Sequence, residues 1–287
     1  MTTSPTHRFG QIIGDLVEEA LREPLAVVAA RHGLYLDWKR PRPVRNGKSK
    51  VGWMDGKGNR HDLDYVLEAG GTDTQLGRPK AFIEIAYRRY TKHSRNKAQE
   101  IQGAIAPLAE AYAHDHPFIG VVLAGVFTDG AIQQLRSNGF GVLYVPFDSI
   151  TAAFEVVGID ANFDEDSTDS EVREKVDAWD ELDANEHAAV LARLRELQAA
   201  EIGVFLIDLE GCLTRTIRSV SVLGLHGVSR DLGDVAAAIA FIESFDEKLP
   251  GPTFVRYEVH IRYTNEDDVR ATFVAKADAI RFLNQFA

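Results

Sequence analysis

The sequence predicts an α/β fold, in which helices flank a mixed β-sheet, followed by an acidic helical linker and a smaller α+β domain. Two observations support this prediction. Segments with helical spacing of apolar residues alternate with short strand-like segments, in the order α-β-β-β-α-β-α-β-α over the first half of the chain. The composition then becomes acidic, with 15 Asp and Glu against 4 Lys and Arg in residues 155–201. We therefore expect domains at 1–158 and 203–287, joined by a linker at 159–202.

The composition is that of a folded globular protein. The chain has 287 residues, 45% of them hydrophobic and 26% charged, enough to bury one large core or two ordinary ones. No apolar run reaches the roughly 18 to 20 residues of a membrane span, and no basic segment followed by an apolar one opens the chain. We expect a cytoplasmic protein with no membrane partner. The single cysteine, Cys212, excludes an internal disulfide and a cysteine-based zinc cluster.

The first elements are a helix, an extended segment and a hairpin. Apolar residues recur at helical spacing over 9–30, and Gly33 ends this pattern. LYLDW then begins an extended segment, which ends in a loop rich in Pro, Arg and Gly at 39–50. Beyond this loop, VGWM and the residues 62–67 predict two paired strands, for which Asp55-Gly56 supplies a turn with positive φ.

The next elements alternate between strands and helices. Residues 81–90, AFIEIAYRRY, are β-branched and aromatic and predict a strand, while 94–112 has helical spacing around Pro107. The apolar segments FIGVVLAGVF and GFGVLYVPF predict buried strands. Thr128 is placed to cap a helix between them, and 148–157 predicts a further short helix. Such an order implies antiparallel strands that pass through helical crossovers into parallel ones.

The second half of the chain predicts two further regions. Within the acidic linker, residues 172–197 have helical spacing and predict one helix or a helical pair. Beyond Gly203, the pattern predicts two strands, a helix, two strands and a helix, which is an α+β domain of the type ββαββα. Its first predicted strand is VFLIDL. We expect this domain to serve in dimerisation or regulation.

A basic segment lies within an acidic chain. The formal net charge is -11, yet residues 35–100 contain 15 Lys and Arg against 8 Asp and Glu, and the rest of the chain contains 17 against 35. Because a polyanion responds to the local field rather than to the average charge, this segment is typical of nucleic-acid binding. The alternative is a solvated basic face without a ligand.

Two carboxylates within this segment are candidates for a metal site. Asp64 opens the second hairpin strand, and Glu84 lies on the strand that follows. Adjacent antiparallel strands can bring the two side chains together. A pair of carboxylates supplies hard oxygen ligands for Mg²⁺ or Mn²⁺, which activates water for phosphodiester hydrolysis.

Over roughly residues 9–157, the chain resembles the PD-(D/E)xK superfamily of restriction-endonuclease-like nucleases. The resemblance rests on Asp64 in HDLDYVL, on Glu84 in AFIEIAYRRY and on the following helix SRNKAQEIQGAI. The resemblance implies a restriction-endonuclease-like fold, with Asp64 and Glu84 as metal ligands. It also implies a lysine two residues after the glutamate, which orients the attacking water. Here that position is Ala86, and Leu63 replaces the usual proline before the aspartate.

The missing lysine leaves two hypotheses open. In the first, Lys97 on the following helix takes its place; Arg88 is a second candidate, although a guanidinium is always charged and cannot act as a base. In the second, catalysis is lost and the fold is retained for binding. Glu18 or Glu19 on the first helix is a candidate for a further acid at the site, against the alternative of a solvated helix face.

The basic residues near this site are candidates for DNA contacts. They are Arg40, Arg42, Arg45, Lys48 and Lys50 in the first loop, and Arg88, Arg89, Lys92 and Arg95 after the third strand. Taken with the resemblance, they predict a Mg²⁺- or Mn²⁺-dependent DNA endonuclease of a bacterial restriction or anti-phage system, with Asp64, Glu84 and Lys97 as catalytic residues. We expect a homodimer, with a cognate methyltransferase or other defence-system subunits as partners. The alternative is a catalytically inactive, DNA-binding subunit that acts with a partner.

Overall fold

The chain forms two compact units, Met1–Leu213 and Thr214–Ala287, in a computed structural model. The structure describes residues 4–91, 94–164, 166–224, 228–248 and 254–287. Within these ranges, no helix combines the length and the apolar character that crossing a bilayer requires.

The first unit alternates helices and strands much as the sequence predicts. Its elements are α1 (Pro5–Arg31), β1 (Leu34–Trp38), β2 (Val51–Met54), β3 (Arg60–Leu63), β4 (Tyr65–Ala69), β5 (Arg78–Arg88), α2 (Ser94–Ala111), β6 (Phe118–Gly125), α3 (Asp129–Ser137), β7 (Gly141–Pro146), α4 (Phe147–Phe154), α5 (Asp169–Asp180), α6 (Ala184–Leu197) and α7 (Ala199–Thr214). Helix α1 begins where Ser4 caps it and Pro5 occupies the first turn. The predicted cap of α3 is also present, since the Thr128 hydroxyl accepts a hydrogen bond from the Ala131 N–H.

A five-stranded mixed sheet forms the centre of this unit, in the order β1-β4-β5-β6-β7. Strands β1, β4 and β5 pair antiparallel, whereas β5, β6 and β7 pair parallel through helical crossovers. One face packs against α1 and α4 to α7, and the other packs against α2 and α3. The predicted mixed sheet flanked by helices is therefore confirmed.

The predicted hairpin is divided between two sheets. Strands β2 and β3 form a separate two-stranded ribbon, and the chain leaves it at Asp64 to enter the central sheet as β4. The predicted strand at 62–67 is thus two strands, because Asp64 interrupts the pairing. The positive φ of the turn lies at Gly58, with φ 83°, rather than at Asp55-Gly56. The Asp55 carboxylate instead caps the turn by accepting hydrogen bonds from the backbone N–H groups of Lys57 and Asn59.

The acidic stretch forms the predicted helical pair, but it packs as part of the first unit. Val172, Val190 and Leu194 are buried in the same core as α1. The acidic residues serve partly at helix ends, because a capping box joins Thr168 to Glu171 at the start of α5. An independent linker at 159–202 is therefore wrong.

The predicted strand VFLIDL is also wrong, because it lies within helix α7. Phe205 and Leu209 are buried, whereas Val204 and Ile207 are 60% and 68% exposed, which is a helical rather than a strand pattern. A short apolar run is ambiguous between a buried strand and a helix. As a result, the two units divide between Leu213 and Thr214, later in the chain than expected.

The second unit has the predicted order ββαββα, although one of its four strands was not predicted. Its elements are β8 (Ile217–Gly224), β9 (Val228–Leu232), α8 (Val235–Ser244), β10 (Tyr257–Tyr263), β11 (Asp268–Phe273) and α9 (Lys276–Leu283). They form an antiparallel sheet in the order β11-β10-β8-β9, with α8 and α9 packed against its apolar face. The three strands predicted after VFLIDL are present as β8, β10 and β11, and the unpredicted β9 is the fourth.

A buried ion network anchors the loop after β1. The Arg42 guanidinium donates to Glu68 Oε1 at 2.6 Å and Oε2 at 3.1 Å, and to Asp37 Oδ2 at 2.7 Å. Arg45 donates to the same Asp37 oxygen at 2.7 Å. The side chains of Arg42, Asp37 and Glu68 are all 0% exposed. Because a buried charge is tolerated only when it is paired, this network fixes the loop against β1 and β4.

We predict that Arg42→Met lowers the free energy of unfolding of the first unit by about 3 to 5 kcal/mol, because it removes the cation paired with buried Glu68 and leaves only Arg45 paired with buried Asp37. Urea denaturation followed by tryptophan fluorescence measures this, since the three tryptophans, Trp38, Trp53 and Trp179, all lie in the first unit. The control is Arg40→Met, which removes a more exposed pair with Asp73 and costs about 1 kcal/mol or less. Equal effects of the two substitutions would contradict a structural role specific to the network.

Candidate active site

The structure brings Asp64 and Glu84 together. The Asp64 N–H donates to the Ile83 carbonyl at 3.3 Å, and Asp64 Oδ2 accepts a hydrogen bond from the Ile85 N–H at 2.6 Å. These two bonds bracket Glu84 on β5. Asp64 is therefore held against the strand at the level of Glu84, and both side chains are half-buried.

Burial raises the pKa values of both carboxyl groups. Burial, and then the charge of Asp64, raise the pKa of Glu84 to about 8. Burial also raises the pKa of Asp64, against the opposing effects of the hydrogen bond from Ile85 and of the cations Lys39 and Lys97. One oxygen of the pair, Glu84 Oε2, is buried and has no hydrogen-bond partner among the residues that the structure describes. The two carboxyl groups therefore ionise together only at a cost in free energy.

Lys97 supplies a cation from the first turns of α2. Its ammonium lowers the pKa of both Asp64 and Glu84, so it lies close to the pair. The side chain is 19% exposed and forms an ion pair with Glu100 at 3.5 Å, and Arg88 Nη2 lies 3.8 Å from the same carboxylate. Lys97 is therefore near enough to act on the two acids by its charge, and its catalytic role stays a prediction.

Position 86 lies in an apolar environment. Ala86 is 2% exposed and packs in the apolar core beneath α2, in the cluster that contains Ala98 and Ile101. A lysine at this position would have to enter that core. Lys97 acts on the carboxylates by its charge from the helix that covers this core.

Two charged residues beside the pair come from elements distant in sequence. Glu18 on α1 is half-buried, and burial, followed by the charge of Asp64, raises its pKa to about 7. The sequence analysis weighed Glu18 against a solvated face, and the structure places it next to Asp64. Lys39 lowers the pKa of both Asp64 and Glu18 and forms an ion pair with Asp15 at 3.7 Å.

The sequence analysis did not single out Lys39, although strand register contains the signal. Trp38 pairs with Tyr65 in the β1–β4 ladder. Lys39 follows the first of these residues and Asp64 precedes the second, so the antiparallel register brings them to the same end of the ladder. That register is not apparent from either segment alone.

The residues present fit a hard divalent cation. Mg²⁺ binds proteins through one or two carboxylates and completes its shell with waters and substrate phosphates. Asp64 and Glu84 supply such a pair, and the unpartnered Glu84 Oε2 is a donor that a cation would satisfy. In the described part of the chain, no three His, Cys, Asp or Glu residues converge closely enough to form a complete metal cage. Glu18 therefore influences the pair by its charge without forming a third ligand of this kind.

Several predicted DNA contacts lie at the surface. Lys48 and Lys50 are exposed, and Lys50 forms an ion pair with Asp62 at 3.0 Å. Arg40 is partly exposed and donates to Asp73 at 2.8 Å. Arg88 is partly exposed at the end of β5. These four side chains remain candidates for contact with a polyanion.

Two predicted DNA contacts are wrong on physical grounds. Arg42 and Arg45 are buried in the ion network and cannot reach a phosphate. Arg89 is half-buried, stacks on Phe147 with its guanidinium carbon 4.0 Å from the ring centre, and donates to the Phe163 carbonyl at 2.6 Å. Its contact with DNA stays a prediction. Lys92 and the side chain of Arg95 lie outside the described residues.

Comparison of the chain with protein-family models, curated proteins and solved structures finds no match. The interpretation of the site therefore depends on its own geometry and charge.

We predict that Glu84 makes the metal-free protein less stable as the pH rises. Its pKa is about 8 in the folded chain against an ordinary 4.5, so the unfolded state ionises first, and stability is lost between about pH 4.5 and pH 8. Glu84→Gln removes this dependence. Urea denaturation in EDTA from pH 5 to 8.5 should show a stability advantage of the variant that grows with pH. Glu110→Gln, which removes an exposed carboxylate, is the control, and parallel curves for all three proteins would contradict the assignment.

Proposed function

We propose that the first unit is a metal-dependent nuclease that hydrolyses phosphodiester bonds in DNA, and that its site resembles that of the PD-(D/E)xK superfamily. The observation that supports this most strongly is the convergence of Asp64 and Glu84 beside Lys97. Two acids and one ammonium at a half-buried site form a set suited to hydrolysis of a phosphodiester.

In this proposal, Asp64 and Glu84 would hold Mg²⁺ or Mn²⁺. When bound, such an ion supplies a Lewis acid that polarises the phosphoryl oxygen and lowers the pKa of water. The Ile85 N–H donates to Asp64 Oδ2 and so fixes the orientation of this carboxylate. Glu84 must lose the proton that its pKa of about 8 favours, so the site is more competent in slightly alkaline solution.

Lys97 orients the attacking water or holds a phosphate oxygen of the substrate. Glu100 positions the Lys97 ammonium, since the two groups are 3.5 Å apart on the same helix. This role replaces the lysine that is absent at position 86. Lys39, Lys48, Lys50 and Arg88 lie around the acids or on the neighbouring loop and attract the substrate backbone.

The biological setting we propose is bacterial restriction or anti-phage defence in the cytoplasm. Cleavage of both strands of a duplex requires two active sites, which a homodimer supplies. The second unit would then serve in dimerisation or regulation. A cognate methyltransferase or other defence-system subunits would be its partners.

One observation favours a second candidate function, a catalytically inactive subunit that binds DNA. Ala86 lies in an apolar core where the superfamily pattern has its lysine. In that case, Asp64→Asn leaves DNA binding and biological activity unchanged.

We predict that the purified chain cuts plasmid or phage DNA in Mg²⁺ or Mn²⁺ and that EDTA abolishes the activity. Asp64→Asn and Glu84→Gln should each reduce the cleavage rate at least about a hundredfold, since each removes a ligand of the proposed ion. Lys97→Met should lower the rate while metal binding is retained, because the lysine is not a ligand.

The matched control for this assay is Glu110→Gln, which should cut DNA as the wild-type chain does. Methylated and unmethylated substrates are tested in parallel, because restriction systems distinguish the two. Cleavage that persists in both acid variants, or intact DNA that is bound equally well by wild type and Asp64→Asn, would contradict the nuclease assignment.

A further inference from the structure

The ribbon formed by β2 and β3 lies directly before Asp64, and one of its faces is buried. Val51, Trp53 and Leu63 pack into the core beneath it, where Trp53 makes edge contacts with Phe82 and Tyr112. This packing holds the ribbon against the first unit on the side of α2 and α3. The opposite face is left without a protein partner from the described part of this unit.

The outer face of the ribbon is rich in cations. Lys50 is 73% exposed, Lys57 occupies the turn, and Arg60 lies across from Met54 in the ladder. Asp62 is the acid among them, and both Lys50 Nζ and an Arg60 nitrogen lie 3.0 Å from its carboxylate. The exposed charge of this face is therefore positive overall.

The turn at the end of the ribbon is rigid. The Asp55 carboxylate, which is buried, accepts hydrogen bonds from the N–H groups of Lys57 and Asn59, both at 2.8 Å, and lies 3.0 Å from the His61 ring. Hydrogen bonds from His61 and Asn59 keep the pKa of Asp55 well below its usual range, so this cap persists at neutral pH. The turn thus presents Lys57 and Arg60 from a fixed backbone.

Arg60 lies flat on the outer face because Gly52 leaves room for it. A Cβ at position 52 would come within 2.0 Å of Arg60 Nε. The guanidinium is held there by Asp62 and, at 3.5 Å, by the Lys50 carbonyl. An exposed ion pair of this kind contributes little stability, so the guanidinium can exchange Asp62 for another acceptor.

We propose that the outer face of the β2–β3 ribbon docks into a groove of duplex DNA, with Lys50 and Lys57 on the phosphates and Arg60 on a base edge. The major groove admits a two-stranded ribbon, and arginine is the commonest side chain to contact guanine there. Charge complementarity selects a polyanion as the occupant. The inference extends the proposed function, since the ribbon ends at Asp64 and would place the duplex at the carboxylates.

Duplex binding in EDTA tests this inference without cleavage. Fluorescence anisotropy of a labelled 30-bp duplex pool of random sequence should show about fivefold or greater loss of affinity for the double variant Lys50→Gln/Lys57→Gln, with a smaller dependence on salt. Arg60→Gln should lose affinity for selected high-affinity duplexes more than for the random pool. Arg173→Gln, which removes an exposed cation on α5 at the other face of the sheet, should bind as the wild-type chain does.

The outcomes separate this inference from the proposed function. Should the ribbon variants bind duplex as Arg173→Gln does, or should the wild-type chain not bind duplex at all, the ribbon is not a docking element. Binding that depends on the ribbon in a chain that cuts no DNA would support this inference and overturn the nuclease assignment. Tighter binding of single-stranded DNA than of duplex by the wild-type chain would contradict groove docking.

Discussion

At Asp64 the chain changes from one sheet to another, and the geometry of the site depends on the hydrogen bonds made at that step. The backbone N–H of Asp64 and its carboxylate both bond to β5, on either side of Glu84. They end the ribbon, start β4 and set the two acids side by side. A side chain at position 64 that could not accept a hydrogen bond from the Ile85 N–H would remove one of the two bonds that hold this junction against β5.

This arrangement places like charges together in partly buried surroundings, which is unfavourable for the isolated fold. The pKa values of Glu84 and Glu18 are raised as a result. Lys97 lowers the pKa of Glu84 and Lys39 lowers that of Glu18, but neither cation cancels the increase. The charges of the Arg42 network, by contrast, are deeply buried and closely paired. The network is thus fully paired and closed to solvent, whereas the half-buried acids of the candidate site hold protons that a bound cation would displace. Departures from local stability of this kind are expected where a protein binds or reacts.

Periodicity was sufficient to predict α1, α2 and the central strands, because their burial patterns follow directly from sequence spacing. The pairing of Asp64 with Glu84 also followed, since both lie at strand positions that are close in sequence. The roles of Arg42 and Arg89 could not be predicted in this way. Arg42 is buried because it pairs with Glu68, and Arg89 is held by a hydrogen bond to the Phe163 carbonyl. Both partners are distant in sequence from the arginines. The apolar run of α7 failed for a different reason, because its composition alone does not distinguish a strand from a helix.

The central claim is that Asp64 and Glu84 form a cation site, and calorimetric titration of the full chain with Mn²⁺ at pH 7 tests it most directly. Repeating the titration in buffers of different ionisation enthalpy counts the protons released. Because Glu84 is largely protonated at this pH, the account predicts that the wild-type chain binds Mn²⁺ with release of about one proton. Glu84→Gln should bind more weakly and release none. No binding at millimolar Mn²⁺, or the same affinity and proton release in Glu84→Gln, would contradict the account.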